Sequence, residues 1–126
     1  MKQMLINNFF KIKEYTHENE STLFIIELIK NHPIYDGHFP GNPIVPGVCS
    51  IEIIKECAAF ILNCSLHFHS IEQCKFLSPI DPIKTGTLSI SLKLISLNET
   101  EFSISATIMS QLTPCVFIKS KLKKQL

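Results

Sequence analysis

Residues 86–96, GTLSISLKLIS, alternate with a period of two: Leu88, Ile90, Leu92 and Leu94 fall on one side, Ser89, Ser91 and Lys93 on the other. That period marks a strand with one face for a core and one for water. EFSISATIM at 101–109 repeats the pattern, with Phe102, Ile104, Ala106 and Ile108 as the inward set. CVFIKSKL at 115–122 predicts a further strand, and LNET at 97–100 and QLTP at 111–114 predict the turns between them. HSIEQCKFL at 69–77 predicts another strand, ended by the SPIDP turn. Earlier in the chain, TLFIIELI at 22–29 reads as a buried strand, although an apolar run of this length also fits a helix fragment.

Between these regions the period changes. VCSIEIIKECAAFILNC, residues 48–64, holds no proline or glycine, and Val48, Ile51, Ile54, Ala58, Ile61 and Leu62 recur at helical spacing. Ile53, Ala59 and Phe60 fill most of the other side, so this helix has to be covered on most faces. Its polar residues Glu52, Lys55 and Glu56 stand at i, i+3 and i+4 and share one stripe. One long helix, one strand before it and at least four after it predict an α+β fold, an antiparallel sheet wrapped around a single central helix. Residues 1–126 are expected to form one domain, without internal repeats or low-complexity segments.

Composition narrows the function classes. A chain of 126 residues, 45% hydrophobic and 18% charged, can bury one real core. Twelve Lys+Arg against eleven Asp+Glu leave no field for a nucleic-acid or membrane-surface partner. The basic cluster Lys119, Lys121, Lys123 and Lys124 reads as a solvated tail. No apolar run reaches the ~18 residues of a membrane span. The N-terminal MKQMLINNFFKIKEY has its apolar patch broken by Asn7 and Asn8 and carries no small-residue cleavage site, so it does not read as a secretory signal. Five cysteines, odd in number and without a C-x-x-C pair, read as reduced and mostly packed thiols, and the compartment expected is the cytoplasm.

The chemistry concentrates in residues 32–47, HPIYDGHFPGNPIVPG, which hold four of the seven prolines and three of the four glycines. Each proline pushes the residue before it into extended geometry, and each glycine permits a turn that other residues resist. Such a loop is stiff enough to hold a side chain in place. It ends in Pro46-Gly47 at the predicted helix start, where unpaired N–H groups and a partial positive charge can meet an oxygen gaining negative charge. Little more than one turn later comes Glu52, and fourteen positions before Glu52 comes His38. A base, an acid and an oxyanion donor are what α-proton chemistry beside a carbonyl needs.

GHFPGNPIVPGV followed by SIEIIKE resembles the active-site segment of the 3-hydroxyacyl-ACP dehydratases of the hotdog fold, the FabZ type. In that family the segment reads approximately GHFPG-x-P-x-x-PGV, with a glutamate fourteen residues after the histidine, the interval from His38 to Glu52 here. KFLSPIDPIKTG also resembles the family's RFKRPVVPGD region, so the similarity covers most of the chain.

The resemblance implies a hotdog fold, a homodimer that can assemble as a trimer of dimers, and a site at the dimer interface with His38 of one subunit facing Glu52 of the other. It implies an acyl chain on acyl carrier protein as substrate, its pantetheine arm entering between subunits, and no metal or redox cofactor. His38, with an ordinary pKa near ~6.5, takes the α-proton. The Gly47 N–H, with Val48 beside it, holds the thioester oxygen, and Phe39 is placed to line the acyl path. Glu52 positions or protonates the departing hydroxyl, which asks for a carboxyl pKa raised by apolar surroundings.

The sequence departs from the family after Glu52, with Lys55 and Glu56 where Ala and Gln are usual; a lysine one turn away favours the ionised form of Glu52. A specialised acyl or polyene pathway uses the same chemistry as fatty-acid synthesis. Two alternatives remain open: a hotdog thioesterase, which leaves HFPG unexplained, and a non-catalytic acyl-binding partner subunit of a synthase complex.

Plainer readings stand beside these. His32 reads as scaffold, Cys49 as a packed thiol, and Tyr35 as either packing or acyl-path lining. His67 and His69 share a face if extended and could take a metal, but are expected in solvent at a helix-to-strand turn.

Overall fold

The computed structural model describes residues 4–36 and 43–125. Strands β1 (Phe10–Glu18) and β2 (Ser21–Leu28) come first, then a 3-10 turn (Pro33–Tyr35) and helix α1 (Gly47–Leu62). Strands β3 (Leu66–Phe76), β4 (Thr87–Ser96), β5 (Glu101–Ser110) and β6 (Thr113–Lys124) follow. The six strands form one sheet in the order β1-β2-β4-β5-β6-β3, and every neighbouring pair is antiparallel. The sheet curls around α1, which packs against β3, β4 and β6. This is the hotdog fold.

The period-two positions do what their pattern predicts. Ile90 lies opposite Ile108 and Leu92 opposite Ala106 in the β4–β5 ladder, and all four are buried. Ile53, Ile54, Cys57 and Ala58 bring the helix into the same core. A fully buried isoleucine such as Ile54 contributes about 1.5–3 kcal/mol in transfer free energy. The helix ends at Asn63, whose φ of 53° and ψ of 45° are left-handed, a conformation asparagine tolerates. Two of the expected turns are anchored by side chains: Asn98 Oδ1 accepts from Thr100 N and Glu101 N at 2.9 and 3.0 Å. Asp81 Oδ1 accepts from Ile83 N at 2.8 Å in the SPIDP segment.

Three expectations are corrected. Two strands precede the helix, not one: β1 is an edge strand, and after Phe10 and Ile12 its residues are exposed on both faces. The four C-terminal lysines are not a tail. They lie in β6, paired on both sides, with Ile118, Ser120 and Leu122 buried between them. His67 and His69 lie within β3, not in a turn, and are exposed. Among the described residues no helix is long and apolar enough to cross a membrane.

Candidate active site

The start of α1 is shaped by what it lacks. Its N-cap, Pro46, has extended geometry (φ −60°, ψ 143°) and no side chain that can cap. Cys49 N and Ser50 N both donate to Pro46 O, at 2.9 and 3.2 Å. Among the described residues, the N–H groups of Gly47 and Val48 meet no backbone acceptor, and no acidic side chain stands in the first turn. These two donors, with the helix's partial positive charge behind them, form an anion-seeking end. Val48 is 74% exposed, so the end is open to solvent. Val45 N donates to Ile80 O at 2.9 Å and ties the approach to the helix to the segment before β4.

Beside Gly47 runs an apolar groove of about 510 Å³, lined by Ile44, Val45, Phe76, Pro79, Ile80 and Val116 among others. Gly47 lies at a close approach. A Cβ at this position would stand 2.9 Å from Phe76 Cζ, so the ring occupies the room that the missing side chain leaves. Sequence reasoning missed Phe76, which lies twenty-nine positions away in β3 and carries no local signal. A larger hollow of about 580 Å³ lies on the sheet around Thr16, Ser21, Ser91 and Ser105, away from these elements.

Glu52 faces another side of the helix, about 140° round the axis from Gly47 at 3.6 residues per turn. Lys55 Nζ lies 3.1 Å from Glu52 Oε1, and both side chains are largely withdrawn from solvent. The Lys55 ammonium also sits over the Phe68 ring, 6.0 Å from its centroid. Glu56 is 2% exposed. Its Oε2 accepts from Leu5 N at 2.9 Å and its Oε1 from Ile6 N at 2.7 Å. Burial and a side-chain hydrogen bond with Glu52 hold the Glu56 carboxyl above the usual carboxylate range, against the pull of the two N–H donors.

Cys49 is buried next to this stripe, and burial with the nearby Glu52 charge pushes its thiol up. It is therefore a protonated, packed thiol at neutral pH and not a nucleophile.

Of the residues picked out in the sequence, His38 and Phe39 lie outside the described residues. Tyr35, three positions before His38, is buried against Phe9 with ring centroids 5.5 Å apart. Its hydroxyl has no hydrogen-bond partner among the described residues, and burial together with Cys49 pushes its pKa up. His32 Nδ1 accepts from Ile34 N at 3.1 Å, and its ring meets Phe9 edge-on, so His32 is a scaffold residue. Among the described residues no group of three His, Cys, Asp or Glu side chains is placed to hold a metal.

The family model of the ApeI-like dehydratases, described as ApeI dehydratase, matches residues 14–113. The chain belongs to this family. Among curated relatives of this ApeI-like chain, the 3-hydroxyacyl-[acyl-carrier-protein] dehydratase FabZ of Ehrlichia canis is 30% identical over 116 residues, covering 84% of the chain and 78% of the relative. The FabZ of Ehrlichia chaffeensis is 37% identical over 79 residues, 59% of the chain and 55% of that protein. Among solved structures, the dehydratase heterocomplex ApeI:P from Xenorhabdus doucetiae superposes with a TM-score of 0.69 at 23% identity, covering 90% of this chain and 96% of that one. The FabZ-type resemblance of the sequence thus holds at the level of family and fold.

Proposed function

We propose that this ApeI-like chain is a hydro-lyase that removes water from a 3-hydroxyacyl thioester carried on acyl carrier protein, giving a trans-2-enoyl thioester. The observation that carries the reading is the helix start: two N–H groups without a backbone acceptor among the described residues, beside an apolar groove, directly after GHFPGNPIVP. The FabZ relatives support the substrate class.

The thioester oxygen takes the N–H groups of Gly47 and Val48, where enolate charge is stabilised as it develops. His38 removes the α-proton and its electron pair forms the new double bond. The β-carbon–oxygen bond breaks, and Glu52 gives its proton to the departing hydroxyl, which leaves as water. The acyl chain follows an apolar path that includes Phe39. Gly47 and Glu52 face different sides of one helix, which supports a site assembled from two copies, His38 of one facing Glu52 of the other. A homodimer is then the minimal unit, a trimer of dimers a natural extension, and fatty-acid or related acyl biosynthesis in the cytoplasm the setting.

One observation favours a second reading. The 3.1 Å Lys55–Glu52 ion pair stabilises the glutamate as a carboxylate, which suits an acyl-binding partner subunit better than an acid. Incubation with 3-hydroxybutyryl-ACP separates the readings. Formation of crotonyl-ACP supports the dehydratase. Intact substrate held tightly supports the partner subunit, and free carrier thiol supports a thioesterase; either outcome overturns the proposal.

A further inference from the structure

Lys119, Lys121 and Lys123 alternate along β6 with the buried Ile118, Ser120 and Leu122, so they stand in file on the outer face of the sheet, about 6.7 Å apart. In the β5–β6 ladder they lie opposite Ser105, Ser103 and Glu101. On its other side Ser105 lies opposite Lys93, the outward neighbour of the buried Leu92. A serine strip on β5 is thus flanked by Lys93 and by the β6 file, two strand spacings or about 9.6 Å apart. Lys93, Lys119 and Lys121 are exposed. Among the described residues none of the four lysines forms an ion pair, Lys123 with its cross-strand neighbour Glu101 included. The chain has eleven acidic residues, yet Glu101 alone falls in these rows. Glu20 and Glu99 lie in the hairpin turns at the border, Glu72 in the bulge of β3, and Glu18 on the edge strand β1. Like charges held in file repel one another, and a surface of opposite sign relieves that repulsion.

We infer that the outer face of β4–β6 docks an acidic helix of a partner protein, seated along the serine strip with its carboxylates toward Lys93 and the β6 lysines. Charge and dimensions carry this together. Carboxylates at i and i+4 of a helix stand about 6 Å apart along its axis, close to the ~6.7 Å between alternate lysines of β6. A helix is about 10 Å across, which matches the separation of Lys93 from Lys119 over Ser105. The short hydroxyls keep the floor low between the flanking ammonium groups. A hollow of about 580 Å³, lined by Ser21, Ser91, Lys93, Ser105 and Thr107 among others, widens the strip toward β2. Phe117, half-buried at the foot of the file, offers an apolar foothold, and Lys75 opposite it continues the positive row. Nucleic acid fits less well. All twelve basic residues of the chain are lysines, so no guanidinium forks onto a phosphate, and the strip carries no series of rings for bases to stack on. The same face of a second copy is excluded by like charge. This surface lies across the sheet from α1, so the inference stands apart from the dehydratase reading.

The test is fluorescence anisotropy of the unsubstituted protein with two labelled, alanine-based helical peptides of one composition. The first carries glutamates at every fourth position, on one face; the second has the same glutamates spread around the helix. At low ionic strength the first should bind about tenfold tighter or more. Lys119→Thr combined with Lys121→Thr, at exposed strand positions that threonine suits, should abolish the preference. Lys84→Thr, in the exposed segment before β4, should leave it unchanged. Equal affinity for the two peptides, or binding of neither, overturns the inference, and both results come from the unsubstituted protein. A preference that survives in the folded double variant, or tighter binding of a single-stranded oligonucleotide than of the first peptide, overturns it as well.

Discussion

Replacing Gly47 by alanine puts a methyl group 2.9 Å from Cζ and 3.0 Å from Cε1 of Phe76. Carbon atoms pack best at about 3.5–4.0 Å, so the ring has to move by roughly 0.6 Å or more. Phe76 is 58% exposed and the crowded atoms are at the far end of its side chain, so the movement is cheap, about 0.5–1.5 kcal/mol for a strained rotamer. Against that cost, alanine at a compatible backbone position stabilises by about 0.4–1 kcal/mol through the unfolded chain. The two nearly cancel, and chemical denaturation should find Gly47→Ala within about 1 kcal/mol of the parent. Activity should not be spared, because the ring is displaced within the groove beside the N–H groups of Gly47 and Val48. We expect kcat/KM for 3-hydroxyacyl-ACP to fall by about tenfold or more, equivalent to ~1.4 kcal/mol of transition-state binding. Phe76→Ala in the Gly47→Ala background should recover most of that loss, which a double-mutant cycle measures. A Gly47→Ala protein with unchanged kcat/KM, or one whose defect persists without the Phe76 ring, would refute the argument.

Further outcomes follow from burial and charge. Tyr35→Phe removes a buried hydroxyl with no partner among the described residues and should stabilise by about 1 kcal/mol; a loss of that size in a thermal melt would contradict it. Glu56 has a folded pKa above its ordinary 4.5, so its favourable contribution is full below that value and is lost as pH rises through the folded one. Stability relative to Glu56→Gln should therefore decline on going from acid toward neutral pH, and a flat difference would speak against the raised carboxyl. Cys57, pushed up to about 12 by burial and Glu56, should resist iodoacetamide in the folded protein and react only on unfolding, as peptide mass spectrometry would record.

The strands that bury one face were legible because burial writes a period of two into the sequence, as in Leu88–Leu94 and Phe102–Ile108. The edges were not. FKIKEYTHE in β1 has little covered beyond Phe10 and Ile12, and β3 begins at Leu66 rather than 69 with register shifts between Phe68 and Ser70 and between Ile71 and Gln73. Edge strands blunted by charges and bulges leave no clean alternation to read. The helix stripe Glu52–Lys55–Glu56 was visible from spacing alone. Its meaning was not, because the partners of Glu56 are backbone groups fifty positions away at Leu5 and Ile6. Phe76 at Gly47 is the same kind of long-range contact, made by folding and unmarked in either local sequence.

The central claim is acid–base dehydration by His38 and Glu52, and its most direct test is single-turnover interconversion of crotonyl-ACP and 3-hydroxybutyryl-ACP by the parent, His38→Ala and Glu52→Gln proteins. The account predicts turnover by the parent and a loss of about 10²–10⁴-fold in each variant, the usual contribution of a positioned acid or base, with carrier-protein binding retained. Full activity in His38→Ala, or an inactive parent that still binds the acylated carrier, would contradict it.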